Sequence, residues 1–147
     1  MIEDGIDIND DKAVLNYSIN QMKSFMERCN KLIHSYKPNI PIYYNGITKI
    51  TGSPYAMNNL KYNLFDYNTK QDLEDLPTTW DGYDIFPFRS KFFASDGKQI
   101  VAMSGKFHSA WGEFGGFKHR DALLYEAASM VAFGANVNIG DQLHPSG

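Results

Sequence analysis

At 147 residues, 43% of them hydrophobic and 21% charged, the chain has the composition of one globular domain and not of a disordered segment. A net charge of −3 with scattered Lys and Arg residues provides no basic surface, so nucleic acid is excluded as an expected partner. The single cysteine, Cys29, excludes an internal disulfide; the acidic start lacks the pattern of a signal peptide; and no apolar run approaches the roughly 18 residues of a membrane span, so no membrane partner is expected.

Asn9, Asp10 and Asp11 are helix N-cap types. Val14, Met22, Phe25, Met26, Cys29, Leu32, Ile33 and Tyr36 then recur at helical spacing until Lys37-Pro38 stops the pattern. The spacing predicts one long amphipathic helix with Cys29 as a core thiol. Asn39 to Gly46 reads as a short buried strand ending in Asn45-Gly46, and the polar, tyrosine-rich Ile47 to Thr69 as a long loop. Lys70 to Pro77 is an acidic strand; Gly82 to Ala94 is a helix with Pro87 near its start and its phenylalanines turned to the core. Lys98 to Gly105 is a third strand, His119 to Gly134 a helix ended by glycine, and Ala135 to Gln142 a fourth strand.

Alternating strands and helices predict an α/β fold with βαβ units and a mostly parallel sheet. In such folds the working groups collect at the carboxyl ends of the strands. Every predicted strand ends in polar residues: Asn45; Asp72 with Glu74; Ser104 with Lys106 and His108; Asp141-Gln142 with His144. Parallel neighbours would bring these groups to one rim. A complete (β/α)8 barrel takes about 250 residues, which leaves two architectures for this length: a small open α/β domain, or part of a barrel.

The segments "YYNG", "DLEDLP", "WDGYDIFP", "MSGKFHSAWGEFGGFK", "YEAASMVAFGAN" and "IGDQLHPSG" together resemble the later strands of a group of glycoside hydrolases. Those enzymes have a catalytic (β/α)8 TIM barrel followed by a domain like the trimerisation domain of β-galactosidases. They look like relatives of the family-29 α-L-fucosidases and the family-42 β-galactosidases. "GKFHSAWGEFGG" and "GDQLHP" are the most specific pieces, and the resemblance runs over nearly the whole chain. It implies that residues 1–147 are the C-terminal half of such a barrel, with Tyr43–Asn45 at strand five, Asp72–Glu74 at six, Val101–Gly105 at seven and Asn138–Asp141 at eight. The first four strands and the closing helix would lie outside these residues, together with the carboxylate that the related hydrolases carry at the end of strand four. Such a half-barrel would not be a competent enzyme alone, and any homo-oligomer would form through the parent protein. The compartment is left open, the cytoplasm being favoured by the acidic start.

Glycoside hydrolysis needs two carboxyl groups flanking the bond, about 5 to 5.5 Å apart for retention and about 6.5 to 9.5 Å for inversion. Glu74 is the first catalytic candidate, because a strand end flanked by apolar residues would desolvate it and raise its pKa toward that of a general acid. Alternatively Asp72, Glu74 and Asp75 form a solvated acidic run. Glu113 is the second candidate, with Trp111 beside it as a face for a sugar ring; its alternative is a surface glutamate in a glycine-rich turn. Asn45, Lys106, His108, Trp111, Asp141 and His144 are the expected substrate contacts. Asn45-Gly46 reads equally as a turn dipeptide, and Asp141 as a helix cap. His108, Glu113, Asp141 and His144 are metal-ligand types at no established metal spacing, and no cofactor fingerprint is present, so neither metal nor cofactor is expected. A carbohydrate-binding module without catalysis, or a free-standing α/β interaction domain, is the alternative to a hydrolase.

Overall fold

The computed structural model describes residues 1–80, 82–111, 113 and 116–142. Helix α1 (Asp11–Tyr36) begins where Asp10 accepts hydrogen bonds from the amides of Lys12 and Ala13, at 2.9 and 3.1 Å, and ends at Lys37-Pro38. Its inward stripe, Ile19 and Met26, packs with Ile47 and Leu64. That stripe is narrower than the periodicity predicts. Phe25, Leu32 and Tyr36 stand exposed, and Cys29 is only half-buried, so the expected core thiol lies at the edge of the packed face.

Asn39 to Gly46 does not form the expected strand. The segment is instead tied down by side chains: the Ile42 amide donates to Thr69 Oγ1 at 2.7 Å, the Tyr44 amide to Asn68 Oδ1 at 2.9 Å, and the Thr69 amide to the Ile42 carbonyl at 2.8 Å. Pro41 removes a ladder donor in the middle of this stretch, and hydroxyl and amide groups supply the missing partners. The expected loop from Ile47 to Thr69 also differs. It contains helix α2 (Pro54–Lys61) and a turn of 3-10 helix, Leu64–Tyr67. Ser53 caps α2 by accepting from the Ala56 amide at 3.1 Å, and Pro54 sits where a helix needs no amide.

Strands β1 (Gln71–Glu74), β2 (Ile100–Gly105) and β3 (Asn136–Gly140) form a parallel sheet in the order β1-β2-β3. Helix α3 (Ile85–Phe93) connects the first pair, with Pro87 in its first turn, and α4 (Arg120–Ala132) connects the second. The fold is thus α/β with three strands among the described residues, one fewer than the sequence predicts.

Both connecting helices pack on one face of the sheet. Leu73, Ile100 and Ala102 meet Phe86 and Phe93 of α3 and Met130 of α4 in the main core, with Val137 at its margin. Side chains alternate along a strand, so the register Asp72–Val101–Asn136 and Glu74–Met103–Asn138 puts these six residues on the opposite face. There Asn136 and Asn138 are exposed. Among the described residues, no helix is long and apolar enough to cross a membrane.

This two-faced sheet has a measurable consequence. Leu73→Ala empties a fully buried core position and is expected to cost about 2–5 kcal/mol in urea unfolding. Met103→Ala, on the opposite face, is expected to cost about 1 kcal/mol or less in the same measurement.

Candidate functional site

Because the strands are parallel, Glu74, Gly105 and Gly140 end on the same side of the sheet. The chain leaving β2 forms an arm that departs at Lys106 and returns at Lys118. The Lys106 amide donates to the Gly140 carbonyl at 3.1 Å, tying the start of the arm to β3. Phe107 and Phe117 then pair antiparallel, the His108 amide donates to the Gly116 carbonyl at 2.7 Å, and the Lys118 amide closes the arm on the Lys106 carbonyl at 2.8 Å.

Trp111 folds back from this arm across the strand ends. Its indole Nε1 donates to Glu74 Oε1 at 2.5 Å. The ring rests on Gly105 and Gly140: a Cβ at Gly140 would overlap the indole, and one at Gly105 would press on it. Phe107 meets the ring edge-on at 5.9 Å between centroids. One side chain therefore touches all three strand ends, and 39% of it is still open to solvent.

The other predicted residues fall into smaller sets. Lys106 Nζ lies 2.5 Å from Asp141 Oδ1, and this bond holds the Asp141 carboxyl below the usual carboxylate range. Glu113 turns into the arm, where its Oε2 accepts from Ser109 Oγ at 2.5 Å and from the Ser109 amide at 2.6 Å. Those two bonds lower its pKa, and the charge of the exposed His108 adds to the effect. Asn45 is exposed in the turn at 45–48, and its side chain makes no hydrogen bond among the described residues. His144 lies outside the described residues.

Beneath the rim, Asp72 and Ser104 of the predicted strand ends join Thr48, Arg89, Lys118 and Glu126, which no motif in the sequence marks. Arg89 of α3 is buried, donating from Nη1 to the Glu74 carbonyl at 2.8 Å and from Nη2 to Thr48 Oγ1 at 3.2 Å. The Thr48 hydroxyl donates in turn to the Asp72 carbonyl. Asp72 is the carboxyl on β1 that burial pushes up, to about 6; the negative charge of Glu74 adds to the rise and Arg89 opposes it. Under the other side of the arm, Lys118 Nζ sits 2.6 Å from Glu126 Oε2 of α4 and 3.0 Å from Ser104 Oγ, whose hydroxyl donates to the same carboxylate oxygen. Helical spacing held the signal for two of these. Arg89 lies between Phe86 and Phe93 on one face of α3, and Glu126 stands one turn before Met130.

A carboxylate, an indole N–H and an ammonium at one rim suit a ligand rich in hydroxyl groups, with the apolar ring face as its seat. Among the described residues, no three metal-ligating side chains come together.

No family model matches the sequence, and no curated protein matches it. Among solved structures, the chain is similar to α-L-fucosidase isoenzyme 2 from Paenibacillus thiaminolyticus, with a TM-score of 0.82 and 37% sequence identity. The likeness covers 100% of this chain and 21% of that one, so the chain spans about a fifth of the fucosidase's length. A glycoside hydrolase is therefore a relative of this chain at a coarse level.

Asp72 supplies the test of the electrostatics under the rim. A carboxyl whose folded pKa is raised from 3.8 to about 6 stabilises the fold below pH 4, and that contribution is lost as pH rises through 6. Asp72→Asn removes the penalty of ionisation. Its stability relative to wild type is expected to improve by about 2 kcal/mol between pH 4 and pH 8, read from urea unfolding at both ends.

Proposed function

We propose that residues 1–147 are the C-terminal half of a (β/α)8 glycoside hydrolase barrel whose parent protein cleaves O-glycosidic bonds with two carboxyl groups. The observation that carries this reading is the Glu74 carboxyl at a parallel strand end, half-buried and engaged by the indole of a tryptophan that spans the neighbouring ends. The likeness to an α-L-fucosidase supports the substrate class and makes an α-L-fucoside the first sugar to try. In this reading β1, β2 and β3 hold barrel positions six, seven and eight, and the segment ending at Asn45 holds position five.

The roles follow from the surroundings. Glu74, at the strand end, is one of the two catalytic carboxyl groups, and its partner comes from residues of the parent protein beyond these 147. Glu113 is held in its ionised form by Ser109, which suits a base or nucleophile and not an acid. Lys106 and Asp141 form a paired donor and acceptor for sugar hydroxyls, with His108, Asn45 and His144 as further contacts. Trp111 offers its face to the sugar ring. Any homo-oligomer belongs to the parent protein.

A second reading, a carbohydrate binder without catalysis, is favoured by one fact: Glu74 and Glu113 are both already occupied, by Trp111 and Ser109. Turnover of a panel of nitrophenyl glycosides by the full-length parent separates the two. Glu74→Gln is expected to lower kcat by about 10²–10⁴ with sugar affinity kept. Sugar affinity in a wild-type protein that turns over no glycoside establishes the binder instead.

A further inference from the structure

The arm between Lys106 and Lys118 carries His108, Trp111 and Glu113, and among the described residues its backbone is joined to the rest of the fold near its two ends by the bonds described above. We propose that the buried Lys118–Glu126 ion pair, closed by the Ser104 hydroxyl, is a positioning device that seats this arm so that Trp111 reaches Glu74. The proposal holds whichever ligand the rim takes.

Three elements meet at one oxygen atom. Ser104 comes from β2, Lys118 from the return of the arm and Glu126 from α4, and all are buried. The ammonium is 2.6 Å from Glu126 Oε2 and 3.0 Å from Ser104 Oγ, and the serine hydroxyl also donates to Oε2. Side-chain exposure is 1% for Lys118 and 2% for Glu126, so water screens the pair very little. Buried ion pairs of this kind are seldom more stabilising than apolar residues of the same volume. What they add is direction: the ammonium must sit where its two acceptors are. The Lys118 amide bonds the Lys106 carbonyl, so fixing Lys118 fixes both ends of the arm at once. Trp111 is carried between those ends to the Glu74 carboxyl. Lys118 and Glu126 are buried beneath the rim and act on it through Trp111.

The chain contains two tryptophans, Trp80 and Trp111, so fluorotryptophan labelling gives two fluorine NMR signals, assigned with Trp80→Phe and Trp111→Phe. Glu74→Ala marks where the Trp111 signal goes when its acceptor is lost. In Lys118→Met with Glu126→Gln no charge is left stranded, and the glutamine oxygen still accepts from Ser104. This double variant is expected to move the Trp111 signal to the Glu74→Ala position and increase its broadening by a soluble paramagnetic quencher, with the Trp80 signal and far-ultraviolet circular dichroism unchanged. Ser104→Ala, which removes one acceptor and keeps the ion pair, is expected to give a smaller shift in the same direction. An unmoved Trp111 signal in the folded double variant overturns the proposal. So does joint loss of both signals and of helical circular dichroism, since the pair would then hold the whole fold and not the arm.

Discussion

A parallel sheet clothed by helices on one face sets where the polar groups of the rim end up. Parallel register aligns the carboxyl ends of β1, β2 and β3, and the two-residue repeat of each strand sorts side chains between a helical layer and an opposite face. On β1 this places Leu73 in the core and Asp72 and Glu74 away from it. A slip of one residue would exchange them, driving two carboxylates against Phe86 and Phe93 and putting Leu73 on the polar side. Keeping Leu73 buried therefore also keeps Glu74 at the rim. Parallel sheets are normally covered on both faces, and closure into a barrel is one way to cover the face that bears Asn136 and Asn138.

The rim is held from below by charges that water hardly reaches. Arg89 captures the backbone carbonyl of Glu74, so it fixes the strand end and leaves the carboxylate free to meet Trp111. A guanidinium suits that task because its planar fork serves several acceptors at once, here the Glu74 carbonyl and the Thr48 hydroxyl. Lys118 works at the other side as a compact ammonium on a single carboxylate oxygen and a hydroxyl. Truncating one partner of such a buried pair leaves the other uncompensated, at a cost of about 3–5 kcal/mol. Asp72 belongs to the same layer, where burial and the nearby Glu74 charge disfavour its ionised form.

What could be read from the sequence, and what could not, follows from the range of the forces involved. The helix from Asp11 to Tyr36 and the strands from Gln71, Ile100 and Asn136 are written in local periodicity and caps, and they were legible. The polar residues at the strand ends were legible too, as residue types after apolar runs. Asn39 to Gly46 reads as a short buried strand, yet the amides of Ile42 and Tyr44 are satisfied by Thr69 and Asn68, more than twenty residues later. Helix α2 reads as loop although Ser53-Pro54 is a start signal, since it is short and only Ala56 and Asn59 of its residues are buried. Arg89, Lys118 and Glu126 are long charged side chains that read as surface. Helical spacing hints that Arg89 and Glu126 face inward, and their tertiary partners show what holds them there, whereas Lys118 carries no such signal.

The same contrast explains Gly105 and Gly140. After a strand, a glycine reads as the opening of a turn, needed for a left-handed backbone such as Gly46 and Gly134 adopt. Neither Gly105 nor Gly140 has a positive φ, so conformational freedom is not what selects them. They are opposite one another in the β2–β3 register, and both lie under the Trp111 ring. A side chain at Gly140 would occupy the space of the indole, which would then have to leave the Glu74 carboxyl. The two missing side chains are thus the seat of the tryptophan. The absence of a Cβ on two strands and the presence of an indole on the arm between them are parts of one contact, and Glu74 is its polar end.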